Sequence, residues 1–507
     1  MGFPQLYKAI FIFFIFSLSY SSIYGQKKTR INIVNAETLE YDINLGANVQ
    51  RLKGDVQFEN KGLLLFCDSA YFYPNNFIEA FGRVHANRGD TIHLHSDELE
   101  FDGDKQVAMA IGNVRLSDKE MLLESNKLYF NIKENTSSYY DGGIIHNKKN
   151  TLTSKRGFYN SNTKVFSFKD SVQLKNPEYT MYTDTLQFNT FSEIAYFFGS
   201  TTIISKESTI YTEKGWYNTQ TDKSELTLNN ELRSAEQTLY ADSILYDRHL
   251  GRSRAFFNIL ISDSTNKLAI TGEYGVYNQN TSRSYVTEKA TMIQAFDEDS
   301  LFLHADTLWL YRDTVSNLNE IFAYNNARFF KPDFQGVCDS LVYIQKDSLI
   351  RMYTDPILWS ETNQITGDYM EILIYDDEIQ QLNIDKNAFI ISEVDSVHFN
   401  QIKGRNMVAL FKNNEMDRIF VNGNGQTIYF AEEEKAPKSI IGINNLDCSN
   451  IVVIIEDSKI KNMTFLDQPK GVMTPMDQAD PTKMKLPGFK INNNAKPRSK
   501  EDIYRVN

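Results

Sequence analysis

The chain has 507 residues, 41% hydrophobic and 13% aromatic, which is enough apolar material for a large ordered core and excludes intrinsic disorder. Its formal charge is −12, whereas nucleic acid and anionic membrane surfaces are held non-specifically by clustered Lys and Arg, so neither is an expected partner. Thirty-four Phe and 28 Tyr, set among abundant Asn, Asp, Ser and Thr, point to short strands joined by polar turns.

The first element in the chain is an address. Lys8 precedes an apolar run over residues 9–18, and residues 19–25 are small and polar, which predicts a signal peptide over 1–25 with cleavage near Gly25–Gln26. The run is shorter than the ~20 residues a membrane-spanning helix needs. No cysteine stands at the cleavage position and no later segment is apolar enough to span as a helix, so the mature product is expected to be soluble outside the cytoplasm.

From residue 31 onward one pattern repeats. A polar residue, usually Asp, stands four positions before an aromatic or aliphatic one. The polar anchors are Glu37, Asp68, Asp97, Asn126, Lys155, Asp184, Glu213, Asp242, Glu273, Asp306, Asp339 and Asp368. Their partners, from Tyr41 and Phe72 to Tyr343 and Ile372, are 31, 29, 29, 29, 29, 29, 29, 31, 33, 33 and 29 residues apart. Six consecutive intervals of 29 define a structural repeat. Between anchors, Gly54-Asp55-Val56, Gly82-Arg83-Val84, Gly112-Asn113-Val114 and Gly142-Gly143-Ile144 follow turns and are expected to open a second strand in each unit. Looser copies continue through residues 405–409 and 449–455, making about fourteen units between residues 31 and 467, with 31–250 the most regular and 251–467 built of longer units.

A lone hairpin cannot bury its apolar face, so such units are expected to stack. The shared stripe is legible as Leu99/Phe101, Leu128/Phe130, Leu186/Phe188, Ile244/Tyr246 and Leu341/Tyr343, each pair two residues apart and on one side of its strand. Gly157, Gly215 and Gly275 replace the aliphatic residue in alternate units, where a bulge bending the sheet is expected, with room for a ligand as the alternative. Residues 468–507 hold Pro469, Pro475, Pro481, Pro487 and Pro497 and read as an extended tail. An open stack also leaves unpaired strand edges near residues 31–41 and 449–466.

Other chemistry is sparse. Three cysteines cannot form a dense disulfide framework, and one must be left over. His93 and His95 share a strand face, while the other five histidines are scattered singly, so a solvated face is expected rather than a metal site. Asp102/Asp104 and Asp376/Asp377 lie in polar turns, and no Ser-His-Asp, Cys-His or phosphate-loop constellation is recognisable, so neither catalysis nor a cofactor is expected.

As a set, Leu52-Lys53-Gly54-Asp55-Val56, the segment from Ser96-Asp97 to Phe101-Asp102 with Gly112-Asn113-Val114, and Tyr240-Ala241-Asp242 with Tyr246 resemble the OstA-like family. That family includes the lipopolysaccharide-transport protein LptA and the periplasmic N-terminal domain of LptD. The resemblance covers about residues 31–430. It implies an all-β, elongated repeat β-jellyroll, V-shaped, with two sheets of stacked hairpins. It also implies a periplasmic role, with association with the outer membrane as one version, in passing lipopolysaccharide to that membrane with its acyl chains in an apolar groove. The ten stripe residues named above would line that groove. Partners would be lipopolysaccharide or another amphiphile, and other transport proteins or a second copy through strand-edge pairing. The chain is longer than an LptA and lacks the further strands of an LptD barrel, so an enlarged bridge component or accessory is the expected role. If the stripe packs against itself, the alternative is a rigid, non-enzymatic β-solenoid scaffold, carbohydrate-binding in one version.

Overall fold

Pairs of consecutive residues with left-handed backbone recur at the repeat period and shape the computed structural model. They include Gly54/Asp55, Gly82/Arg83, Gly112/Asn113, Asp170/Ser171, Phe257/Asn258, Asn325/Asn326 and Lys386/Asn387. The structure describes residues 30–505 apart from 42–43, 45, 47, 90–91, 118–120, 148, 207, 235–236, 282, 297–298, 313–318, 376–377, 414, 434–435 and 457–458. The expected signal peptide and Asp376/Asp377 therefore lie outside the described residues. The chain divides into two compact units, residues 1–148 and 149–507.

In the first unit each left-handed pair creases one long strand at its middle. Gln50–Asn60 runs antiparallel to Leu63–Tyr73, with Gln50 to Lys53 facing Ser69 to Phe72, a slip at Gly54-Asp55, and Val56 to Asn60 facing Leu63 to Cys67. Phe77–Arg88, Ile92–Asp102, Val107–Ser117 and Met121–Asn131 continue this meander, each slipping again at the crease. Each strand thus contributes one half to either side of a common crease line. The expectation that Gly-x-Val opens a separate strand holds at Gly142-Gly143-Ile144, where Gly143 begins the strand Gly143–Asn147, and is corrected at the other three, because Gly54, Gly82 and Gly112 lie inside single strands. A two-residue left-handed step turns the strand without ending its ladder, which local pattern reading cannot distinguish from a turn. The N-terminal strands Asn32–Asn35 and Thr38–Tyr41 pair with the two halves of Gln50–Asn60. The Ile31 N–H bonds Asn76 Oδ1 at 3.1 Å, tying the far end of one half-sheet to a hairpin turn at the far end of the other. Leu52, Phe58, Ile78, Ala80, Leu99, Phe101, Ala110 and Leu128 are buried inside.

The second unit begins with creased strands of the same kind, among them Val165–Lys175, Tyr179–Asn189, Ile194–Ser205 and Ser208–Asn218. From Lys223 the crease separates most strands into two short ones that pair as two series, joined where a long strand carries both halves, as Arg252–Asp263, Leu268–Asn278 and Glu415–Glu433 do. Thr307–Arg312 pairs with Asn319–Tyr324, which pairs with Ser340–Ile344. In parallel, Ser300–His304 pairs with Ala327–Lys331, which pairs with Phe334–Cys338. Leu308, Ile321 and Leu341 from the first series and Leu303, Phe329 and Phe334 from the second belong to one core, which extends to Val453.

Two sequence signals find their physical cause in these ladders. The anchor carboxylate sits on the crease of the next strand: Arg83 Nε donates to Asp68 at 2.9 Å, Asn113 Nδ2 to Asp97 at 2.8 Å, Asn258 Nδ2 to Asp242 at 2.9 Å and Asn326 Nδ2 to Asp306 at 3.0 Å. After four of the five stripe aromatics, Phe101, Phe130, Phe188 and Tyr246, an Asn or Asp starts the hairpin turn. Asn189 Oδ1 accepts from the N–H groups of Phe191 and Ser192 at 2.9 and 3.0 Å, and Asn218 Oδ1 from those of Gln220 and Thr221 at 3.0 and 2.8 Å. Successive turns then bond to one another, as Thr190 N–H does to the Lys164 carbonyl and Thr219 N–H to that of Glu193, both at 2.9 Å.

The alternating glycines are corrected in part. Gly157 stands opposite the buried Phe168, and a Cβ on Gly215 would lie 2.5 Å from the Phe197 ring. Gly275 faces Ala255 and Val286. The expected bulge is present at Gly215, where the register slips beside it, and absent at Gly157 and Gly275, whose ladders to Val165–Lys175 and Arg283–Thr287 run without a break.

The segment 468–507 opens with the strand Lys470–Pro475, which pairs with Ala436–Glu456, and then runs back across the second unit. Gln401 Nε2 donates to the Met484 carbonyl at 2.9 Å while its Oε1 accepts from Leu486 N–H at 2.8 Å. Gln364 repeats this clamp on the Lys490 carbonyl and Asn492 N–H at 2.8 and 2.7 Å. At the far end Ile503 is buried and the Tyr504 hydroxyl meets Thr291 Oγ1 at 2.8 Å.

Candidate functional site

The two half-sheets of the second unit enclose a cavity of about 340 Å³ between residues 265 and 379. Ile321, Leu341, Tyr343 and Ile372 wall it on one side; Leu268, Leu303, Phe329 and Phe334 wall it on the other. The strand period puts these apolar residues inward on both series, and the crease holds the two series face to face. Asn266, Lys267, Gln294, Lys331, Asp333 and Gln345 complete the lining with polar groups.

Lys331 is the best-defined of them. Its ammonium lies 3.0 Å from Asp333 and 3.2 Å from Asp299, and 5.8 Å from the centre of the Phe296 ring. Burial works against its charge, but the two carboxylates outweigh burial and hold its pKa above the usual lysine value. The cavity therefore combines an apolar interior with a fixed cation and its counter-ions, which suits the chain of an amphiphile more than a polar substrate.

The ten stripe residues are distributed unevenly. Leu99, Phe101, Leu128, Leu186, Ile244 and Leu341 are buried. Phe130, Phe188, Tyr246 and Tyr343 are half-buried. Leu341 and Tyr343 line the cavity, and Phe130 lines a shallower pocket of about 390 Å³ in the first unit with Phe77, Met109 and Tyr129. The opposing wall, Leu303, Phe329 and Phe334, was outside the stripe, because those residues belong to the second strand series, where the anchor pattern does not reach. The alternation Leu301/Leu303 around Phe302 was the available signal.

Elsewhere the polar groups are structural. Asp102 accepts from the N–H groups of Asp104 and Lys105 at 3.1 and 2.9 Å, which makes it a turn residue. All three cysteines are free, and burial pushes the Cys67 and Cys338 thiols up to about 12. His93 and His95 do share a face, but His85 joins them from the neighbouring strand, a contact invisible to spacing along the chain. Among the described residues no helix is long and apolar enough to cross a membrane.

Comparison with known proteins agrees with the repeat. The OstA-like protein family matches residues 28–184, 179–229 and 210–295, together more than half of the chain. No curated protein matches. Among solved structures, LptH, the LptA-homologous periplasmic component of the lipopolysaccharide transport device of Pseudomonas aeruginosa, has 15% identity, covering 20% of this chain and 76% of its own, with a TM-score of 0.19. The WD40 domain of SCAP from fission yeast has 8% identity, covering 85% of this chain and 98% of its own, with a TM-score of 0.10. At these TM-scores neither likeness bears on architecture or function. On the strength of the match over residues 28–295, the chain belongs to the OstA-like protein family.

Proposed function

We propose that this protein is a non-enzymatic periplasmic carrier that holds an acyl chain of a lipopolysaccharide-class amphiphile during transfer to the outer membrane. The observation that carries the reading is the apolar cavity between the half-sheets of the second unit. Its volume lies near the lower end of the ~300–1,000 Å³ typical of ligand pockets, which suits one chain rather than several. Burial of that chain is favourable by ~0.8 kcal/mol per methylene. Family membership supports the lipid class, and the exposed strands Asn32–Asn35 and Thr38–Tyr41 offer an edge to a transport partner or a second copy.

Lipid extraction tests it. Mass spectrometry of lipid co-purified with the exported chain is expected to find lipid A. Leu303→Trp, which fills the cavity from one wall, is expected to reduce that lipid with the β-rich circular dichroism spectrum unchanged. The packed stripe residues Leu99, Phe101 and Leu128 favour the second reading, a solid scaffold. That reading wins if no amphiphile co-purifies, or if Leu303→Trp leaves the amount unchanged.

A further inference from the structure

Four of the seven histidines lie on the outer face of one half-sheet of the first unit. His85 stands directly opposite His95 on the adjacent strand, and His93 lies two residues before His95 on the same face. The His85 ring stacks on Phe66 at 5.8 Å, a contact that holds its plane whether or not His95 keeps its own stack on the other side at 4.4 Å. His85 Nε2 then faces His93 Nδ1 at 3.3 Å.

Two imidazole nitrogens so placed share either a proton or an ion. In a tetrahedral zinc centre with Zn–N distances of ~2.0–2.1 Å, two ligand nitrogens stand about 3.3–3.4 Å apart. The observed spacing is that edge, reached without moving the backbone. We propose that His85 and His93 form the preformed half of a surface site for a borderline divalent transition ion, Zn²⁺ by class, with the exposed His95 turning in as third ligand and water completing the shell. Among the described residues no three such side chains already surround one ion position, so the turn of His95 is part of the proposal. Neutral imidazoles suit such ions and not Mg²⁺ or Ca²⁺. The nearby cation Arg115, opposite His95, is paired at 3.0 Å with Glu124, which also lies 3.8 Å from His146. His146 therefore has a different partner and serves as an internal control.

The test is Zn²⁺ competition against a chromophoric chelator at pH 7.5, with Co²⁺ substitution read by its visible absorption. One ion per chain with micromolar affinity and a tetrahedral Co²⁺ band is the expected result. His93→Ala and His85→Ala are each expected to weaken binding by at least about tenfold, with His146→Ala unchanged and thermal unfolding of the apo chains alike. If His85→Ala does not fold, His95→Ala, at an exposed position, must still weaken binding. Absence of saturable binding up to roughly millimolar Zn²⁺, or equal binding by wild type and the His93→Ala and His95→Ala variants, would overturn the proposal and leave an N–H···N hydrogen bond.

Discussion

At the scale of single residues, the anchor carboxylate and the crease are one device. A Cβ on Gly112, at φ 74°, would come within 2.5 Å of the Asp97 carboxylate, whereas Gly62, at φ 80°, has open space around it. Gly62→Ala is therefore expected to cost only the left-handed backbone term of ~1–2 kcal/mol. Gly112→Ala is expected to cost more, because Asp97 must also leave Asn113. Urea unfolding of both variants checks this, and equal losses would show that the carboxylate yields freely. A second residue-scale effect depends on pH. Asp395 accepts from the His398 ring at 2.8 Å and from the N–H groups of Val397 and His398, and these bonds hold its pKa down at about 2. The folded value lies below the ~3.9 of an unfolded aspartate, so the stabilisation is complete above that value and is lost as pH falls through it toward about 2. Amide exchange at Val397 and His398, corrected for intrinsic rates, is expected to accelerate across that window and not above it.

At the scale of elements, creased strands and cross-strand glycine–aromatic pairs replace the simple hairpins the repeat suggests. Phe197 is almost wholly buried and lies over Gly215. Phe197→Ala is expected to cost ~3–5 kcal/mol. Gly215→Ala is expected to cost ~1–3 kcal/mol by overpacking in the native background but much less once Phe197 is alanine. A double-mutant cycle should give a coupling of at least ~1 kcal/mol; additive losses would mean that the ring does not set the glycine's role. The period and the buried aliphatic positions Leu99, Leu128, Leu186, Ile244 and Leu341 were legible because one apolar residue per strand must face the stack whatever the strand's neighbours are. The role of Gly215 was not legible, since its partner, eighteen residues earlier, is defined by register across strands.

At the scale of the whole molecule, the C-terminal segment covers the outer face of one strand series in the second unit. Trp359, Phe389 and Ile391 are buried although their strand neighbours Leu358 and Ile390 are the ones in the core. Removal of residues 477–507 strips the clamps from Gln364 and Gln401 and is expected to expose this face. Increased dye binding to apolar surface and concentration-dependent light scattering check the outcome; a truncated chain that scatters as the full one does would show that the face is protected otherwise. The sequence by itself determined the all-β class, the period and the inward stripe, because these follow from alternation along single strands and from the need of each unit to bury one face. Tertiary structure alone decided that Gly-x pairs crease strands, that His85 meets His93, and that Leu341 and Tyr343 border a cavity while Leu99 and Leu128 lie in packed core. Each of these depends on which side chains arrive from another strand and on whether their volumes fill the space between two half-sheets, quantities that no single strand contains.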